Sequence, residues 1–116
     1  MLSLAAALTL AACGGSSSYS GVTNPPPPPP GPVVTTDVSL KNLAFSPKAI
    51  QVSPGATVTF TNNDGIAHNI TFSSAAVNGS TDFSTGARTV VMPNATGTYA
   101  YHCTIHPGMI GSIVVQ

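Results

Sequence analysis

The chain has 116 residues, and its three acidic and three basic side chains cancel to a net charge of zero. That length has room for one small domain. The charges, Asp37, Asp64, Asp82, Lys41, Lys48 and Arg88, are too few and too scattered to neutralise phosphates or steer a charged partner, which excludes nucleic-acid binding. Cys13 follows an apolar N-terminal run and Cys103 stands among histidines, so a shared disulfide is not expected, and there is no Cys-x-x-Cys-His for covalent haem.

From Leu2 to Ala12 the chain is apolar apart from Ser3 and Thr9. The run is too short to span a bilayer but suits the apolar region of an export signal. Its end, Leu10-Ala11-Ala12-Cys13, resembles the lipobox of bacterial lipoproteins, which implies that residues 1–12 are removed and that Cys13 carries the lipid as the first mature residue. The resemblance implies an extracytoplasmic, lipid-anchored protein, in a bacterial periplasm, on an outer membrane or at the cell surface. An ordinary cleaved signal that leaves Cys13 as a free thiol is the alternative. Gly14 to Thr36 has almost no large aliphatic residue and contains Pro25-Pro26-Pro27-Pro28-Pro29-Pro30-Gly31-Pro32. It cannot bury a core and favours polyproline II, so residues 13–36 read as an attachment point and a tether.

Residues 37–116 read as the folded part. Val38-Ser39-Leu40-Lys41-Asn42-Leu43, Ile50-Gln51-Val52 and Val58-Thr59-Phe60 alternate apolar and polar side chains, the period of half-buried strands. Ser46-Pro47, Ser53-Pro54-Gly55 and Asn62-Asn63-Asp64-Gly65 punctuate them as turns. Further strands are expected at His68 to Phe72, Arg88 to Met92, Thr98 to His102 and Ser112 to Val115, with at most a short one around Phe83. No stretch has helical periodicity. The expected fold is all-β: a small antiparallel Greek-key β-sandwich of about seven strands.

Near the C-terminus, Cys103, His106 and Met109 follow one another at steps of three residues, in a loop between two expected strands, and His68 lies 35 residues before Cys103 at the start of another. Pro107 and Gly108 favour a tight turn that aims Met109 back toward the other donors. Two imidazoles, a thiolate and a weak axial thioether are the ligand set of electron-transfer copper. Zinc also takes Cys and His, but it leaves Met109 unexplained.

Phe45-Ser46-Pro47, Val52-Ser53-Pro54-Gly55, Val58-Thr59-Phe60-Thr61-Asn62, His68-Asn69 and Gly97-Thr98-Tyr99-Ala100-Tyr101-His102-Cys103-Thr104-Ile105-His106-Pro107-Gly108-Met109 together resemble the cupredoxins, the small blue copper proteins, and among them the amicyanin and plastocyanin group. The resemblance implies one copper ion, with His68, Cys103 and His106 as strong ligands and Met109 as the weak one. The Cys-x-x-His-x-x-Met spacing is similar to that of amicyanin. The resemblance also implies that Asn69 ties the strand of the first ligand to the Cys loop, near Thr104 or the Cys103 sulfur. His102 is expected to point away from Cys103 by strand alternation and to take no second metal.

These expectations make the chain a one-electron carrier rather than an enzyme. It would be a monomer, tethered to a membrane through Cys13, and would meet redox proteins weakly through an apolar patch of Ile66, Ile105, Pro107 and Ile110 around His106. The alternative is an extracytoplasmic copper-binding protein that buffers or delivers the metal. Delivery favours extra Met and His donors outside the site, and only His102, Met92 and Met1 remain for that role.

Overall fold

A computed structural model describes residues 24–116. The export signal and the lipid-bearing Cys13 expected from the sequence lie outside the described residues. Ten strands form and, among the described residues, no helix does. They are β1 (Val33–Val34), β2 (Asp37–Lys41), β3 (Ala44–Ser46), β4 (Ala49–Val52), β5 (Thr57–Asn62), β6 (His68–Phe72), β7 (Ser80–Phe83), β8 (Ala87–Val91), β9 (Gly97–His102) and β10 (Ile110–Val115). One sheet has the order β1-β4-β10-β9-β6-β7 and the other β3-β2-β5-β8. They pack as a sandwich, as the alternation of apolar residues implies.

Two details differ from the sequence expectation. The strands number ten rather than about seven, because the short edge strands β1, β3 and β7 are separate pieces. The sheets are mixed rather than antiparallel: β1 pairs with β4, β4 with β10, and β2 with β5, all in parallel. Parallel pairing follows from crossover connections between sheets, which local periodicity does not encode. The segment read as tether through residue 36 also contributes to the fold. Val33 and Val34 pair with Ile50 and Gln51, and the Thr36 carbonyl accepts the Thr59 N–H at 2.8 Å. Both valines stay largely exposed, so they add ladder hydrogen bonds and almost no core.

Alternation places the core. In β2, Val38 and Leu40 point inward; in β5, Val58 and Phe60; in β10, Ile113 and Val115. Between the sheets Tyr101 meets Phe45 and Phe60 edge-to-face, at ring centroid separations of 4.7 and 5.3 Å, and Phe72 at 5.3 Å. Such pairs add about 0.5–1.5 kcal/mol each beyond the area they bury. Gly111 makes room for this cluster, since a Cβ there would lie 2.4 Å from Cζ of Tyr101.

The Tyr101 hydroxyl is buried and, among the described residues, has no hydrogen-bond partner. Burial pushes its pKa far above the usual phenol value, so it remains neutral. An unpaired buried hydroxyl costs about 1–3 kcal/mol. Tyr101→Phe keeps the ring and removes that cost. We expect the metal-free variant to be more stable by about 1 kcal/mol, a rise in Tm of about 4–8 °C in a domain of this size. A comparable loss of stability in thermal melts would show that the hydroxyl is hydrogen-bonded in solution.

Candidate metal centre

Three segments meet at one end of the sandwich. β6 begins there with His68, β9 ends there and delivers Cys103, and the loop from Thr104 to Gly108 carries His106. Backbone bonds close this loop: the Cys103 N–H donates to the Met109 carbonyl at 3.0 Å, and the Met109 N–H donates to the His106 carbonyl at 3.2 Å. Gly108 turns the chain at φ +86°, a left-handed conformation that side chains other than glycine rarely adopt. The turn brings Met109, 2% exposed, back into the interior beside Cys103.

Nδ1 of His68 lies 3.1 Å from Nδ1 of His106, and Sγ of Cys103 lies 4.0 Å from the first and 3.6 Å from the second. His68, Cys103 and His106 form the metal-capable group among the described residues, with donor atoms mutually within 4.8 Å. His102 is not part of it; it pairs with Thr71 and Ile110 across the sheet. His68 is fully buried and Cys103 nearly so, while His106 is half-exposed with Nδ1 turned inward.

Asn69 joins the two halves. Its Nδ2 donates to Oγ1 of Thr104 at 2.7 Å, and its Oδ1 accepts the Thr104 N–H at 3.0 Å. Its remaining capacity goes to Asp82 Oδ1 and the Thr71 hydroxyl. Asn69 thus contacts Thr104 rather than the Cys103 sulfur. Two neighbouring residues, His68 and Asn69, both reach the interior because the register between β6 and β7 shifts between His68 and Ile70. Such an irregularity breaks strict alternation and re-aims side chains.

Asp64 is the residue that sequence reasoning missed. Its Oδ2 lies 2.8 Å from Nε2 of His68. A carboxylate only accepts, so Nε2 carries the proton, and in the neutral ring Nδ1 presents its lone pair toward Cys103 and His106. The carboxylate is itself held by the N–H groups of Asn42 at 2.6 Å and Leu43 at 3.1 Å. Those two residues form the β2–β3 turn with φ of 53° and 56°. Partial burial works to raise the Asp64 pKa, but the Leu43 N–H, the His68 ring and the Asn42 N–H outweigh it and hold it below 3.8. The signal available in the sequence was the four-residue step from Asp64 to His68 inside a turn cluster.

The four residues expected to make an apolar patch, Ile66, Ile105, Pro107 and Ile110, are all exposed. Asn62 holds the Ile66 end by donating from Nδ2 to the Ile66 carbonyl at 2.8 Å and the Phe83 carbonyl at 2.8 Å.

A buried thiol between two imidazole Nδ1 atoms, with a thioether next in the loop, suits a copper ion, whose affinity for such nitrogen and sulfur donors is high. An all-β sandwich carrying that site on the loop before its last strand is the architecture of a small copper protein. The copper-binding plastocyanin/azurin family matches residues 32–116, and the chain belongs to that family and holds one copper ion. It is 34% identical over 90 residues to amicyanin-alpha of Methylorubrum extorquens, covering 73% of this chain and 75% of that protein. To chloroplastic plastocyanin of Pisum sativum it is 33% identical over 88 residues, covering 64% of this chain but only 52% of the plastocyanin, about half its length. Among solved structures, a Cu(I) amicyanin variant superposes with TM-score 0.62 at 26% identity, covering 69% of this chain and 80% of that one. A purple cupredoxin from Nitrosopumilus maritimus gives TM-score 0.62 at 26% identity, covering 69% and 98%.

The Asp64 contact gives a test. Asp64→Asn keeps an oxygen that can accept the His68 N–H but removes the negative charge behind the ring. A less electron-rich imidazole stabilises Cu(II) less than before, so we expect a raised reduction potential and Cu(II) affinity lower by about 10–100-fold. Voltammetry and competitive metal titration check this, and an unchanged potential would show that the carboxylate only positions the ring.

Proposed function

We propose that the chain carries single electrons between redox proteins, with His68, Cys103 and His106 as the strong copper ligands and Met109 as the weak axial one. The observation that supports this best is the convergence of the two Nδ1 atoms and the thiol within 4.8 Å in the folded chain itself. When bound, the copper supplies a one-electron couple, Cu(II)/Cu(I).

The protein's part is to hold donors acceptable to both oxidation states. Asn69 and Thr104 fix the spacing between β6 and the ligand loop, and Asp64 fixes the tautomer and tilt of His68. Burial of Cys103, His68 and Met109 excludes water from the thiol and keeps a soluble chelator from reaching most of the donor set. That burial favours a carrier over a copper-delivery protein, whose metal must exchange. The half-exposed edge of His106 is then the point at which an electron enters and leaves.

Docking rests on apolar contact, since the charges near the site are few. Ile66, Ile105, Pro107 and Ile110 make the contact surface, suited to the weak, short-lived encounters typical of redox partners. In this reading the chain is extracytoplasmic and held to a membrane by the lipid on Cys13, with the stretch to Pro32 as its tether.

Ile105→Asp should leave copper content unchanged and slow electron exchange with a physiological partner by about tenfold, the cost of about 1.4 kcal/mol in the encounter complex. Stopped-flow mixing of copper-loaded wild type and variant reads this directly. Equal rates would place the exchange surface elsewhere, and loss of copper would show that Ile105 supports the site rather than the partner.

A further inference from the structure

Strand register fixes where the proline-rich segment joins the fold. β10 starts at Ile110, directly after the ligand loop, and runs away from it to Val115. β4 runs parallel to β10 with Ile50 opposite Ile113, and β1 runs parallel to β4 with Val33 opposite Ile50. Val33 is therefore level with Ile113, three residues past Ile110, about 10 Å along the strand. Going backward from Val33, the chain heads toward the ligand loop and draws level with Ile110 near Pro30. Side-chain packing agrees independently: Pro29, Pro30 and Val33 line an apolar groove of about 490 Å³ together with Pro47, Ala49 and Ile110. The other end of the folded chain, Val115, lies at the pole away from the ligand loop, paired with Gly97 and Val52.

We propose that the protein is tethered from its copper end, so that the exposed edge of His106 faces the membrane that holds the lipid, and that its redox partner is a protein embedded in or resting on that membrane. This rests on the acylated, copper-binding reading given above. Proline fixes φ, and a run of six prolines, Pro25 to Pro30, makes a stiff polyproline II lead of about 19 Å at 3.1 Å per residue. A stiff lead that meets the domain beside Ile110 keeps the ligand loop nearest the anchor. A lead that met it beside Val115 would present the loop to bulk solvent. Ile110 lines the groove under the prolines and is half-exposed, and it belongs to the contact surface proposed above, so in this reading lead and contact surface are continuous. Residues 13–32 reach at most on the order of 70 Å when extended. The domain is thereby confined to a layer where membrane-bound partners are concentrated and soluble ones are not.

The test compares two attachments of the copper-loaded mature chain to phosphatidylcholine vesicles that contain a ferrocenyl lipid. One has the native lipid at Cys13. The other carries Cys13→Ser and the same lipid on a linker of equal length added after Gln116. In the reaction followed, one electron leaves the ferrocenyl group, which becomes ferrocenium, and reduces the centre from Cu(II) to Cu(I), with no proton transferred. We expect the natively anchored chain to be reduced about threefold faster or more by the ferrocenyl lipid, while water-soluble ascorbate reduces both at similar rates. Equal rates, or a faster C-terminally anchored chain, overturn the orientation. The underlying readings fail separately. If the expressed chain is unacylated and does not float with vesicles, the tether is wrong; if it floats without taking up copper, the ligand assignment is wrong. Either result also overturns the proposal.

Discussion

The side-chain amide of Asn69 reaches from β6 to Thr104 with hydrogen bonds of 2.7 and 3.0 Å, and in doing so joins two segments that the sequence separates by 35 positions. One segment carries His68; the other carries Cys103, His106 and Met109. Each is anchored in its own way, His68 through Asp64 and the loop through the Cys103–Met109 and Met109–His106 backbone bonds. The amide sets the distance between them. A metal site with fixed donors on two sides needs such a joint, because the donors must stand at the right separation without the ion having to gather them.

The support extends outward in layers. Asp64 is held by the N–H groups of Asn42 and Leu43, whose left-handed backbone aims both at one carboxylate. Asn69 is held in turn by Asp82 from β7 and Thr71 from its own strand. Below the site, the contacts of Tyr101 with Phe45, Phe60 and Phe72 lock β9, the strand that delivers Cys103, against both sheets. The consequence is an interior that resists rearrangement and, of the three donors that converge there, a single one, His106, with an edge at the surface. One-electron transfer favours this arrangement, since a site that moves little between oxidation states has little to reorganise.

Much of this was legible in the chain. Period-two alternation marked β2, β4 and β5, and the composition of β6, β8, β9 and β10 located them to within about two residues. The loop from Cys103 to Met109 announced its chemistry because its donors are local, and the distant His68 joined them as a second imidazole at the start of an expected strand, a choice the likeness to cupredoxins supported. Less was legible where structure depends on pairing. β1 and β3 are two and three residues long, too short for any period, and β1 exists only because Ile50 and Gln51 offer it a free edge. The parallel pairings follow from connections that cross between sheets, which no local window contains. Asp64 looked like a turn residue, and it is one: its N–H donates to Asn62 Oδ1 at 2.9 Å. Its contact with His68 appears only once the turn is folded against Asn42 and Leu43.

The central claim is a copper site whose donors are Cys103, His68 and His106, with Met109 near. The most direct measurement is a Cu(II) titration of the metal-free protein followed by visible absorption and electron paramagnetic resonance, beside a Cys103→Ser control. The account predicts an intense thiolate-to-copper band that saturates at one equivalent and is absent from the control. A colourless complex in the wild type, or the same spectrum in both proteins, would contradict it.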